Sequence, residues 1–125
     1  MKTLRTAFVS PGLLKLQAAA EKRDTRRRRV LSFGLVVPDE NHPGLDCTIR
    51  DVSDGGARIG FARTVPLPAQ FWLIEVRARM AYRAEVAWRN DLEAGLRFHN
   101  QFALSAIADP RHLFLKQLWL QHATR

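Results

Sequence analysis

Six of the eight residues of KRDTRRRR, positions 22–29, are basic: Lys22, Arg23, Arg26, Arg27, Arg28 and Arg29. Arginine grips phosphate through parallel N–H bonds and stacks on bases, which lysine does not. Each such charge-assisted hydrogen bond is worth about 1.5–3 kcal/mol. Arg23 and Arg27 stand four apart. On a helix they share a face, and in an extended segment they can wrap both sides of an anion. The same run also reads as a solvated basic linker, or as a non-specific nucleic-acid contact with steep salt dependence.

The second stretch with chemical potential is CTIRDVSDGGARIGF, residues 47–61, which holds Asp51, Ser53 and Gly56 in the spacing D-x-S-x-x-G. A carboxylate at Asp51 can accept both donors of the guanine N1–H and N2–H₂ edge, and Ser53 can donate to a phosphate or a base. Gly55 and Gly56 permit positive φ and a close backbone approach to a ligand. Taken alone, the stretch reads equally as a tight turn in which Asp and Ser bond locally.

Nothing else suggests chemistry. The four histidines, His42, His99, His112 and His122, show no metal-ligand spacing, and Ser53 has no histidine near it in sequence. There is no Walker-type glycine loop. No catalytic residue, metal or cofactor is expected, and the chain is not read as an enzyme. The net charge of +8 favours anionic partners without choosing among them. The single cysteine, Cys47, excludes an internal disulfide and a cysteine-based zinc site, and reads as a small core residue. No apolar run is long enough to span a membrane. The stretch after Lys2 and Arg5 is interrupted by Ser10, Pro11 and Lys15, a poor signal peptide, so a cytoplasmic location is expected.

The elements that must position these residues follow from periodicity. Ser10 as cap and Pro11 at the first turn predict a short N-terminal helix over 11–22. Period-two stretches then predict strands at 30–37, 45–52, 57–61, 71–77, 81–88 and 94–98. In the second of these Leu45, Cys47 and Ile49 share one face, continued by Asp51. Trp88 alternates with Ala84 and Val86 and is expected in the core. PDENHPG (38–44), SDGG (53–56), RTVPLPA (63–69) and RNDLEA (89–94) are turns or loops. Asp109 and Pro110 start a C-terminal helix over 110–123, whose apolar stripe of Leu113, Phe114, Leu115, Leu118, Trp119 and Leu120 packs on the strands. Six short strands predict a mainly β protein, a six-stranded antiparallel barrel whose open end a terminal helix can cover.

The combination is more specific than its parts. R-x-x-x-R before a first strand, D-x-S-x-x-G after a second, and AEVAWRNDLEAGLRF (84–98) with its Val-x-Trp and Gly-x-x-Phe strands resemble the PilZ domain, a bacterial receptor for cyclic di-GMP. The resemblance covers residues 22–98 and is strongest with small single-domain members. It implies that Arg23 grips a phosphate and the guanine Hoogsteen edge, and that Arg27 holds phosphate and stacks on a base. Asp51 would read the guanine Watson–Crick edge or hold an arginine, Ser53 would donate a hydrogen bond, and Gly56 would let the backbone pass the ligand. Lys22/Arg26 has the same spacing. The Arg23/Arg27 register is preferred because both positions are arginine, with Lys22, Arg26, Arg28 and Gly55 as additional contacts.

The organisation expected is an N-terminal extension at 1–21, a PilZ-like barrel with its basic segment at 22–105, and the terminal helix at 106–125. The function implied is a cyclic di-GMP receptor or adaptor that changes shape on binding and regulates an unidentified downstream protein in motility, adhesion or exopolysaccharide output. The alternatives are a ligand-free PilZ-like adaptor and a small-barrel nucleic-acid binder, the latter less favoured.

Overall fold

The computed structural model describes the backbone of residues 28–123 and the side chains of 31–123. The helix expected over 11–22 lies outside the described residues, as do Lys22, Arg23, Arg26 and Arg27.

Six strands close into an antiparallel barrel: β1 (Arg28–Val37), β2 (Leu45–Val52), β3 (Gly56–Gly60), β4 (Gln70–Glu75), β5 (Met80–Arg89) and β6 (Glu93–Ala103). The order around the barrel is β1-β2-β3-β6-β5-β4, and β4 pairs back onto β1. Closure gives every described strand a neighbour on both sides, which limits open edges that could pair with another chain. The turn between β4 and β5 is tight, with Arg79 at φ 60° and its N–H donating to the Val76 carbonyl. A single-turn 3-10 segment at Pro110–His112 leads into helix α1 (Leu113–Ala123).

Alternation divides the strands between two cores. Val36, Cys47, Ile49, Ile59, Phe71, Leu73, Tyr82, Ala84 and Leu96 point into the barrel. Leu35, Val37, Trp72 and Ile74 point outward from β1 and β4, yet they are buried with Leu104 and Leu115. Helix α1 therefore lies on the outer wall of β1 and β4, not over an open end as the sequence suggested. The reason is legible in GLVV and FWLI, where consecutive residues are apolar because both faces of these strands are covered. Leu115 is fully buried, a gain of about 1.5–3 kcal/mol. Trp119 packs on the same core and donates its indole N–H to the Val76 carbonyl at 3.0 Å. Leu113 and Leu120, expected on the packed stripe, are exposed.

Burial, helped by the charge of Asp46, pushes the Cys47 thiol up to about 12. Inside the barrel, the carboxylate of Glu75 is 3% exposed and accepts a hydrogen bond from the Tyr82 hydroxyl at 2.8 Å.

Asp109 starts the terminal helical segment as expected, accepting the Arg111 backbone N–H at 2.9 Å. Its carboxyl is held down to about 2, first by the Arg111 side chain and then by that backbone bond. A depressed carboxyl pKa contributes stability above its unfolded value and loses it as pH falls through the folded value. The melting temperatures of the parent and the Asp109→Ala variant are therefore expected to differ at pH 7 and to converge between about pH 4 and pH 2. A gap that persists at pH 2 would show that the carboxylate charge is not what anchors this end.

Candidate functional site

The described motif residues gather around the end of β2 and the start of β3. Asp51 is the next-to-last residue of β2, and Gly56 is the first of β3. Ser53 and Gly55 lie in the connection between them, Ser53 partly buried and Gly55 exposed. The barrel and α1 form one compact unit of Arg29–Val52 and Gly56–Arg125, while Ser53–Gly55 belongs to a second unit. Arg28 opens β1, and Lys22, Arg23, Arg26 and Arg27 precede the described residues.

Asp51 does not continue the face of Leu45, Cys47 and Ile49. The β2–β3 register shifts between Ile49 and Asp51: Ile49 faces Ile59 inside the barrel, but Asp51 faces Arg58 outside it. One extra residue, Arg50, reverses the alternation, as a β-bulge does. Val52 thereby turns inward and is buried, and the Asp51 carboxylate is delivered to the outer surface.

The same device corrects the placement of Trp88. The β5–β6 register shifts between Val86 and Trp88, so Val86 pairs with Leu96 and Trp88 with Gly95. Trp88 is consequently 45% exposed on the outer face and not in the core. Its indole lies flat over Gly95, where an added Cβ would collide with it. Cross-strand registers align Asp51, Arg58, Gly95 and Trp88 in one outer row across β2, β3, β6 and β5. The adjacent row holds Gly56, Arg97 and Glu85.

Neither Gly55 nor Gly56 has a positive φ; among the described glycines only Gly44 does, at 95°. Gly56 is required for another reason. A Cβ there would strike the backbone carbonyl oxygen of Leu96 on β6, whereas at Gly55 it would meet nothing within 4 Å. The motif glycine thus has a structural role in letting β3 approach β6.

Ion pairing fixes this surface. Arg58 donates from Nε to Asp51 Oδ2 at 2.8 Å and from its NH1 nitrogen to Glu93 Oε2 at 2.7 Å. Arg50 approaches the same Glu93 oxygen at 3.5 Å, lying over the bare Cα of Gly60. The bond from Arg58 to Asp51 is the largest cause of the raised Arg58 pKa. Sequence reading missed Arg58, Glu93 and Arg50. Arg58 had a signal, since Asp51 and Arg58 flank the SDGG turn at matching distances and carry opposite charges. Glu93 had none, because it meets Arg58 only through the β3–β6 pairing.

A cleft of about 320 Å³ lies between the β1–β2 loop and α1, lined by Glu40, His42, Phe114 and Leu118 among others; no motif residue lines it. Among the described residues, no three His, Cys, Asp or Glu side chains gather to hold a metal ion. No helix among them is long and apolar enough to cross a membrane.

Neither a curated protein nor a solved structure shows significant similarity to the chain. A profile of the PilZ domain does, over residues 21–113. PilZ domains bind cyclic di-GMP and act as binding and adaptor modules, not as catalysts. The match takes in the basic run, the D-x-S-x-x-G stretch and all six strands, and on that ground the chain belongs to the PilZ domain family.

Proposed function

We propose that this protein is a cyclic di-GMP receptor that acts without catalysis, and that its ligand is held jointly by the basic run and the β2–β3 surface. Arg23 and Arg27 grip the phosphates and guanine faces. Asp51 reads a guanine edge, Ser53 donates a hydrogen bond, and Gly56 keeps the strand start open beside the ligand. Lys22, Arg26, Arg28 and Gly55 supply further contacts. The observation that carries this reading is the occurrence of both family motifs in one chain, with Asp51 turned outward by the bulge at Arg50. Without that bulge the carboxylate would point into an apolar core.

Binding would order the basic segment 22–29 of the 22–105 domain, and this ligand-dependent difference between two states is the signal. The exposed side of α1, with Leu113 and Leu120, offers a surface to a downstream protein partner. Such a receptor works in the cytoplasm, where the second messenger is made.

Calorimetric titration with cyclic di-GMP at moderate salt, with GTP and cyclic di-AMP as controls, tests the reading. Saturable, guanine-selective heat is expected, with a melting temperature that rises with ligand concentration because only the folded state binds. Absence of heat and of thermal shift would overturn the receptor function and leave a ligand-free PilZ adaptor. Binding that ignores base identity and collapses with salt would instead mark a nucleic-acid contact.

A further inference from the structure

We infer that Arg58, held by Glu93, is a positioning residue that orients Asp51 for guanine and cancels its charge toward the ligand's phosphates. The inference rests on the receptor reading above and adds to it residues outside both motifs.

Reading the guanine N1–H and N2–H₂ edge requires both carboxylate oxygens in the plane of the base. An aspartate on a strand surface has two side-chain torsions to fix before it can do so. Arg58 fixes them, because its Nε reaches Asp51 Oδ2 at 2.8 Å while its other arm is anchored on Glu93 at 2.7 Å. The guanidinium fork thereby ties Asp51 on β2 to Glu93 on β6 across β3. Its planar, rigid geometry makes it suited to two carboxylates at once, which a lysine ammonium is not. A carboxylate accepts about four hydrogen bonds, so one bond from Arg58 leaves Asp51 able to receive two donors from a base.

Charge gives the second argument. Cyclic di-GMP carries two anionic phosphates, and an uncompensated aspartate beside them would repel the ligand. Asp51 and Glu93 are matched by Arg58 and Arg50 in one connected group. The site can therefore use a carboxylate for base recognition without adding net negative charge.

The test compares affinities for cyclic di-GMP and for cyclic di-IMP, whose hypoxanthine bases lack the N2 amino group. The wild type is expected to prefer guanine by about tenfold or more, the range of one charge-assisted bond. In Arg58→Met, which keeps the stem but not the fork, that preference is expected to fall to within about threefold of unity. Cyclic di-IMP keeps both phosphates and N1–H, so its binding should also weaken, but by a smaller factor than that of cyclic di-GMP. Arg58→Lys should recover only part of the preference, and Glu93→Gln, which leaves Arg58 in place, should lower it by a smaller factor. Equal loss for both ligands would mean that Arg58 acts on the phosphates alone, and unchanged affinity for both would mean a purely structural ion pair. Either result overturns the inference while leaving the receptor reading intact. A wild type that binds cyclic di-GMP without guanine preference overturns the role of Asp51 and this inference with it. A wild type that binds neither ligand fails at the receptor reading itself.

Discussion

The Arg23→Ala/Arg27→Ala double variant is expected to bind cyclic di-GMP at least about a hundredfold more weakly than the wild type. Each arginine contributes charge-assisted hydrogen bonds worth about 1.5–3 kcal/mol, and about 1.4 kcal/mol is a factor of ten in affinity. Two losses at the low end already reach a hundredfold. The Lys/Lys variant should recover little, because an ammonium cannot grip phosphate through a planar fork or stack on a base in the same way. The melting temperature without ligand should change little in either variant, since the described residues of both hydrophobic cores lie within 35–119. Isothermal titration beside thermal melts checks both statements. Binding within threefold of wild type would remove Arg23 and Arg27 from the site and direct attention to Lys22/Arg26.

The second large effect is on stability. Gly56→Ala is expected to lower the melting temperature by on the order of 10 °C. Its Cβ collides with the Leu96 backbone oxygen, and overpacking of this kind costs about 1–3 kcal/mol. Gly55→Ala, one residue earlier and in open space, should melt close to the wild type. The reverse order would show that the β3–β6 register is misplaced. The pair also bears on how a lost-binding phenotype is read. A Gly56 variant that fails to bind has first lost its strand packing, so the ligand role of the motif is better tested at Ser53.

Much of this architecture was legible in the sequence because alternation and turn chemistry agreed. The bounds of β2 were read correctly at both ends, and Asp109–Pro110 marked the start of the last helical segment. Two of the errors share one cause. Asp51 and Trp88 were each assigned a face by counting in twos, and a bulge intervenes before each. A bulge is a property of two paired strands, so a single strand's pattern does not reveal it. A further register shift between Arg83 and Ala84 accompanies the run of β6 through His99, Asn100 and Gln101, beyond residue 98 where the strand was expected to end. At the site, the motif residues were found by resemblance. The partners that hold Asp51 were not, because Glu93 is distant in sequence and is brought in by topology alone.

The burial of Cys47 has a practical consequence for observing the proposed switch. The thiolate is the form that attacks thiol-directed probes, and a group displaced to about 12 and enclosed in the barrel offers almost none at neutral pH. Cys47 is also the chain's single cysteine. A cysteine placed at Thr25 would therefore be the one reactive handle on the native protein, and could carry a fluorophore or spin label without first removing a native thiol. The same buried sulfur, labelled only when the barrel opens, would report global unfolding in the same sample. Motion of the basic segment and integrity of the fold could then be followed separately through one chemistry.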